Sequence, residues 1–274
     1  MKSIENGQKR LKKISLSGQK LNNNIVELTT FYSLRLYILR DYHKVINRLE
    51  KLNLPVNIIG VINTYPIHQF NLKSQVVNPK HILITGGMHG DEPASVEAVL
   101  QFLERVPTQL QQQFSFTVIP CINPYGYVHN TRENQDGIDI NRSFETDEVP
   151  EVTIIKEAID NMHFLFTIDF HEDYEAKGFY LYEGKRDEQY FGPEIADKVK
   201  IFGPIDSDDS GEDTTEIVQG VYKVASKWGT KGLAPYLIHF HTEHVLITET
   251  PTVWSLKQRV NLHLGVLDTA LQML

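Results

Sequence analysis

The stretch HILITGGMHGDEPASVEAVLQFLER, residues 81–105, decides the fold. It begins with β-favouring apolar residues that end in Gly86 and Gly87, which predicts a buried strand breaking into a loop. Pro93 then opens a segment with helical spacing of its apolar residues, so we expect a helix over 93–105. A strand, a short loop and a helix in succession are the unit of α/β domains.

The same alternation of strands and helices continues on both sides of this stretch. The further predicted elements are helices at 31–52, 154–162 and 255–274 and strands at 56–63, 67–74, 114–120, 164–170 and 244–250. They predict one α/β domain over residues 31–274, with a mostly parallel or mixed sheet. Residues 1–30 are polar, and we expect them to form an arm.

Composition and charge exclude several classes of function. The chain has 274 residues, of which 41% are hydrophobic, as is ordinary for a globular domain. Its net charge of −8 argues against nucleic-acid binding and against docking on an anionic membrane. The single cysteine, Cys121, excludes an internal disulfide and a cysteine-rich zinc site. No apolar run approaches ~20 residues and no secretory signal is evident, so we expect a cytoplasmic protein.

Three residues at predicted strand ends are candidate metal ligands. His89 and Glu92 stand three residues apart on the turn after the first strand, where both can reach one ion. Zinc binds imidazole nitrogen and carboxylate oxygen, and catalytic zinc usually has three protein ligands. We expect the third ligand at His171, which follows the strand 164–170, with Asp169 on the same side to orient it. Taken singly, each residue is equally typical of a charged loop.

Two other segments carry chemically useful groups. The segment 131–144 holds two arginines, Arg132 and Arg142, together with Asp139 and Asn141. Arginine binds carboxylates and can stabilise a developing oxyanion, although such a segment is also typical of a surface loop. The strand 244–250 presents Glu249 near its end, where a carboxylate is costly unless it is paired or functional. Beside a metal it could act as a general base.

The order of these motifs resembles the zinc carboxypeptidase family, peptidase family M14. The motifs are HGDE (89–92), NPYG (123–126), GIDINRSF (137–144), DFHE (169–172) and ITET (247–250). The resemblance runs from about Tyr37 to the C-terminus. It implies a single domain with a mixed, twisted sheet of about eight strands flanked by helices, and one zinc ion.

The resemblance also implies a role for each candidate residue. Zinc would be bound by His89, Glu92 and His171, and Asp139 would support His89. Glu249 would be the general base and proton shuttle, and Arg132 would polarise the scissile carbonyl. The terminal carboxylate would be held by Asn141 and Arg142. The implied activity is a zinc-dependent hydrolase that cleaves an amide bond next to a free carboxylate. Its partners would be small peptides or acyl-amino acids.

The short chain is similar to the compact intracellular members of the family. These include the murein peptide amidases and the aspartoacylase/succinylglutamate desuccinylase branch. The second group carries a small β-domain after its catalytic glutamate. The segment after Glu249 instead predicts a single helix. This difference favours a peptidase or amidase over a deacylase of N-acyl amino acids. The substrate-capping tyrosine of the digestive members has no clear counterpart, and Tyr222 and Tyr236 are the weak candidates.

Two alternatives remain open at this point. The segment HFHTEH (239–244) resembles the zinc motif of metallo-β-lactamase-fold hydrolases, but Glu243 replaces an aspartate and that fold needs the motif early in the chain. Histidines of a strand lining a cleft are the simpler interpretation, and His241 or His244 could then shape the substrate pocket. A non-catalytic zinc-fold binding protein is the second alternative. Zinc content and peptide turnover distinguish these possibilities.

Overall fold

The computed structural model describes residues 39–106, 109–187, 189–206 and 214–274. Over these residues the helices are α1 (Tyr42–Glu50), α2 (Pro93–Arg105), α3 (Pro124–His129), α4 (Pro150–Ile159), α5 (Gly192–Val199), α6 (Leu233–Phe240) and α7 (Leu256–Met273). The strands are β1 (Val56–Ile62), β2 (Tyr65–Leu72), β3 (Lys80–Thr85), β4 (Phe114–Ile119), β5 (Phe166–Asp173), β6 (Tyr180–Lys185), β7 (Thr215–Val218), β8 (Val221–Lys223) and β9 (His244–Pro251). The predicted arm at 1–30 and the start of the predicted helix at 31–52 lie outside the described residues.

The nine strands of the described chain form one mixed sheet. Their order is β1-β2-β4-β3-β5-β9-β6-β8-β7. The central strands β4, β3, β5 and β9 are parallel to one another, while β2 and β6 run antiparallel to their central neighbours. The predicted α/β domain with a mixed sheet flanked by helices is confirmed, with nine strands where about eight were expected.

Both faces of this sheet are covered, which explains why its central strands are continuously apolar. In β3, Ile82 and Ile84 belong to one buried cluster and Leu83 belongs to another, because successive side chains of a strand point to opposite faces. Helices α1, α2 and α7 contribute to the first cluster, and helices α4 and α6 contribute to the second. We call these sides the α7 face and the α6 face.

The parallel strands bring distant segments to one edge of the sheet. Thr85 at the end of β3 pairs with Asp169 of β5, and His171 two residues later pairs with Glu249 of β9. Because the strands run in the same direction, the loops at their carboxyl ends emerge side by side. This edge carries the candidate site.

The region between β5 and β9 differs most from the expectation. It contains β6, α5, β7, β8 and α6, none of which was predicted. The histidine-rich segment is not a strand, since His239 lies in α6, His241 caps its C-terminus and His244 begins β9. The apolar run 233–238 forms a helix instead, and this helix ends just before the segment turns. In the described part of the chain, no helix has both the length and the apolar character needed to cross a membrane.

Candidate metal centre

The loop after β3 is shaped by glycines that place His89 and Glu92. Gly87 has a positive φ of 64°, which glycine adopts without strain. A Cβ at Gly90 would lie 1.8 Å from the carbonyl carbon of Gly126, so only glycine allows the loop to approach α3 this closely. Glu92 then occupies the N-cap position of α2, and Pro93 follows it at the first helical position.

The three predicted metal ligands converge on one point. Their candidate donor atoms all lie within 4.8 Å of one another, and the side chains of His89, Glu92 and His171 are buried. Nδ1 of His89 lies 2.6 Å from Oε1 of Glu92, and Nδ1 of His171 lies 2.9 Å from Oε2 of the same carboxylate. Two imidazoles therefore present the same ring nitrogen to one carboxylate.

The other ring nitrogens are held by two further carboxylates. Nε2 of His89 lies 3.3 Å from Oδ1 of Asp139, and Nε2 of His171 lies 2.9 Å from Oδ2 of Asp169. The hydroxyl of Thr85 donates to Asp169 at 2.7 Å and so fixes that carboxylate. Carboxylates in this position orient metal-binding histidines and make their ligating nitrogens more basic.

The electrostatics of the cluster favour a bound cation. Burial raises the pKa of Glu92, but His89 and His171 outweigh it and hold that pKa at about 2. Burial lowers the pKa of His171, but Asp169 and Glu92 outweigh it and raise that pKa well above its usual value. Two imidazoles and one carboxylate are also a donor set of catalytic zinc. The residues present therefore fit a zinc ion.

Arg132 lies at the rim of this cluster. Its Nε donates to Oδ2 of Asp139 at 3.0 Å, and its Nη1 lies 3.8 Å from Oε1 of Glu92 and 3.2 Å from Nδ1 of His89. Burial lowers the pKa of Arg132, but the negative charges of Asp139 and Glu92 outweigh burial and raise that pKa above its usual value. The guanidinium therefore stays charged. A fixed positive charge next to the cluster can stabilise negative charge that develops there.

Asn141 and Arg142 lie on the same loop as Asp139, in a short 3₁₀ turn at Ile140–Arg142. Oδ1 of Asp139 accepts the backbone N–H of Asn141 at 2.9 Å, which ties this turn to the metal cluster. Oδ1 of Asn141 in turn accepts the N–H of Leu233 at the start of α6, also at 2.9 Å. The side chain of Arg142 is exposed, and its Nη1 donates to the carbonyl of Asn141 at 3.0 Å.

Glu249 faces the same side of the sheet as His171, one of the candidate ligands. It pairs with His171 of β5 on one side and with Tyr180 of β6 on the other, and paired residues share a face. Burial raises the pKa of Glu249 to about 8, against the opposing effect of His171. A carboxyl group with this pKa can take up and release a proton near neutral pH.

The remaining predicted residues lie elsewhere. His241 contacts the carbonyl of Met162 at 2.9 Å and His244 contacts Glu183 at 2.6 Å, so these histidines have separate partners and do not join one metal group. His244 also begins β9, about 16 Å along the strand from Glu249. Of the candidate capping tyrosines, Tyr222 is buried and Tyr236 packs on Phe144.

The structure also shows supporting residues that the sequence did not reveal. Thr85 gives no local signal, because a threonine at a strand end is ordinary. Arg259 and His263 of α7 lie one helical turn apart. This spacing places both on one face of the helix but does not predict which strands that face packs against. Their contacts with β5 and β9 depend on how α7 packs on the sheet.

Comparison with known proteins agrees with this geometry. A family model described as zinc carboxypeptidase matches residues 60–176, a range that includes all three candidate ligands. The matched segment is similar to the zinc carboxypeptidase family, and together with the cluster of candidate ligands it supports a zinc-dependent metallohydrolase. Glu249 lies beyond the matched range, and a search of curated proteins gives no significant match.

Solved structures with the same fold come from several organisms. A Shewanella amazonensis protein classed as a metallopeptidase is 22% identical, with a TM-score of 0.73 over 85% of this chain and 91% of that one. A metallo-carboxypeptidase from Burkholderia cenocepacia is 18% identical, with a TM-score of 0.67 over 85% and 69% of the two chains. Carboxypeptidase A from Helicoverpa armigera is 15% identical, with a TM-score of 0.67 over 85% and 73%. At these identities the likeness shows the shared fold.

Proposed function

We propose that this zinc hydrolase cleaves an amide bond next to a free carboxylate, as a carboxypeptidase or peptide amidase. The observation that carries the proposal is the convergence of His89, Glu92 and His171 beside Glu249 at one edge of the sheet. Arg132 and the turn that holds Asn141 and Arg142 lie on the loop joined to this cluster by Asp139.

The three converging side chains would hold one zinc ion. When bound, zinc would make a neighbouring water more acidic and polarise a carbonyl group. Asp139 and Asp169 would keep the two imidazoles oriented towards it, since each carboxylate already contacts the outer nitrogen of one ring.

Glu249 and Arg132 would perform the remaining chemistry. Glu249 would accept a proton from the attacking water and deliver it to the departing amine. The Arg132 guanidinium, held by Asp139, would stabilise the negative charge that develops on the carbonyl oxygen.

The substrate carboxylate would bind at the turn Ile140–Arg142. Arginine forms paired hydrogen bonds with carboxylates, and the exposed Arg142 has room to do this. The amide nitrogen of Asn141 can donate to the same group while Oδ1 remains bonded to Leu233. This arrangement would place the scissile bond of a C-terminal residue near Arg132.

Apolar and aromatic residues lie near Glu249 on its face of the sheet. On the α6 face, Tyr182 of β6 pairs with Ile247, two residues before Glu249. The ring of Trp228 contacts Tyr182 edge-on, with centroids 5.1 Å apart. Because apolar surface binds apolar surface best, we propose that the enzyme prefers an apolar or aromatic C-terminal residue.

The test is turnover of a substrate panel by the metal-loaded protein, with and without a chelator. The panel contains dipeptides ending in Phe, Leu, Lys or Glu, murein peptides and N-acyl amino acids. We expect chelator-sensitive hydrolysis of amide bonds next to a free carboxylate, with the highest kcat/KM for Phe or Leu. Hydrolysis of the N-acyl amino acids alone would indicate a deacylase, and full zinc occupancy without any turnover would indicate a binding protein.

A further inference from the structure

We propose that His263 is a positioning residue that holds Glu249 in register with the metal ligands. The inference rests on the proposed role of Glu249. His263 belongs to α7, packs on the opposite face of the sheet from the metal cluster and has no contact with it. It acts through the two strands that carry Glu249 and His171.

The first contact is with β9. Nδ1 of His263 lies 2.9 Å from the hydroxyl oxygen of Thr248, and Nε2 lies 3.1 Å from that of Thr250. These two threonines flank Glu249, and side chains alternate along a strand, so they point to the α7 face while Glu249 points to the α6 face. One imidazole is therefore hydrogen-bonded to β9 at both residues that flank the proposed general base.

The second contact is with β5. The ring of His263 lies against Phe170, with centroids 4.8 Å apart. Phe170 pairs with Thr248 in the sheet, and the next residues, His171 and Glu249, pair with each other. The imidazole thus lies on the α7 face of the sheet, opposite the pair His171 and Glu249, and it contacts the strand of each.

The same helix also holds the segment that carries Glu92. One turn before His263, Arg259 forms an ion pair with the buried carboxylate of Glu172. Glu172 also accepts the backbone N–H of Ala94 in the first turn of α2, at 2.5 Å. Arg259 and His263 together connect α7 to β5, β9 and α2, which are three elements of the site.

A histidine is a costly way to fill this space if packing were its only function. The side chain is fully buried, and burial lowers its pKa to about 3, so the ring is neutral. A neutral imidazole has one donor and one acceptor nitrogen, and both are used on the two hydroxyl groups. Leucine would fill the volume but would make no directional bond, whereas the two hydrogen bonds add to the backbone pairing with β5 and β6 in fixing β9 along its own axis.

Four variants test the proposal. His263→Leu removes both bonds, and His263→Gln can keep the bond to Thr250. The double variant Thr248→Val and Thr250→Val removes the hydroxyl groups with little change of shape, and it serves if His263→Leu fails to fold. Thr167→Val is the matched control, since Thr167 is a buried strand threonine whose hydroxyl lies 3.5 Å from the His244 carbonyl and does not contact His263.

The kinetic readout is kcat and KM on the best panel substrate, together with zinc affinity. We expect kcat to fall at least tenfold in the leucine and double-valine variants, because a misplacement of about 1 Å can cost 100-fold in rate. KM and zinc affinity should stay within threefold of wild type, the glutamine variant should recover part of kcat, and Thr167→Val should match wild type. Equal kcat in wild type and both loss variants would overturn the proposal, as would a parallel loss of zinc affinity.

A crystal structure of a zinc-loaded loss variant provides a readout that does not depend on turnover. We expect the Glu249 carboxylate to be displaced relative to His171, while the distances among His89, Glu92 and His171 are unchanged. An undisplaced Glu249 contradicts the positioning role. If wild type hydrolyses no member of the panel, the proposed function fails, and this structural comparison still decides the role of His263.

Discussion

Glu92 is the residue around which the site is organised. Its two carboxylate oxygens face the Nδ1 atoms of His89 and His171, and Oε2 also accepts the backbone N–H of Glu172 at 3.1 Å. His89 lies on the loop after β3 and His171 lies on β5, so this carboxylate joins that loop to β5 through the donor atoms themselves. The lone pairs that zinc would need already point to one place.

The sequence predicted these donors but not their exact arrangement. His89, Glu92 and His171 could be recognised because the first two lie on the turn after one apolar strand and the third ends another. Which nitrogen of each imidazole faces inward depends on Asp139 and Asp169, and Asp139 reaches His89 only through the folding of the 131–144 loop. A contact of that kind depends on tertiary packing and leaves no spacing pattern in the chain.

Glu249 provides the first prediction at this scale. Glu249→Gln removes the proton acceptor and keeps the shape, so kcat should fall by about 10²–10⁴-fold. Zinc stoichiometry should remain that of the wild type, because Glu249 is not one of the converging donors. Kinetics combined with metal analysis checks both points, and unchanged turnover would reject the general-base role.

The histidines provide the second prediction. His89→Ala should lower zinc affinity by at least 10-fold, because it removes one of three donors. His241→Ala is the matched control, since His241 contacts a backbone carbonyl and should leave zinc affinity unchanged. Competition with a chromophoric chelator measures both affinities. The opposite order of effects would favour the histidine-rich segment as the metal site.

At the scale of elements, the sequence predicted a helix or strand correctly where proline, glycine or apolar periodicity marked it clearly. Helix α2 begins at Pro93 and ends at Arg105, as predicted, because proline marks its start and its apolar stripe is continuous. The region 180–240 was missed because β8 has only three residues and β6 contains alternating tyrosines that also suit a loop. Strand β6 is stabilised by pairing with β9, which lies far away in the sequence, and β8 is stabilised by pairing with β6.

The contact between α7 and β5 gives a stability prediction. Arg259→Met leaves the Glu172 carboxylate buried without its cation, so the free energy of unfolding should fall by about 3–5 kcal/mol. Arg105→Met is the control, because Arg105 pairs with Asp268 across α2 and α7 and both side chains are more than 40% exposed. Breaking that surface pair should cost less than about 1 kcal/mol.

Urea unfolding of the two variants, followed by far-UV circular dichroism, measures this difference. The slope of unfolding free energy against urea should be the same in both variants if each still unfolds in one cooperative step. Equal losses of stability in Arg259→Met and Arg105→Met would show that α7 is not held to the site by the buried ion pair.

At the scale of the whole molecule, the sheet brings four distant segments together. The loop after β3, the 131–144 loop, the end of β5 and the end of β9 meet at one edge because the central strands are parallel. This convergence was predictable, since buried apolar strands separated by helices favour parallel pairing. The register that sets His171 opposite Glu249 was not, because pairing partners depend on packing across the whole sheet.

The most direct test of the account is anomalous diffraction from crystals of the zinc-loaded protein, measured on both sides of the zinc absorption edge. We predict one strong peak per chain, about 2.0–2.2 Å from a nitrogen of His89, a nitrogen of His171 and an oxygen of Glu92. A peak located at other residues, or a zinc-loaded protein with no peak among these three side chains, would contradict the proposed metal centre and the hydrolytic mechanism built on it.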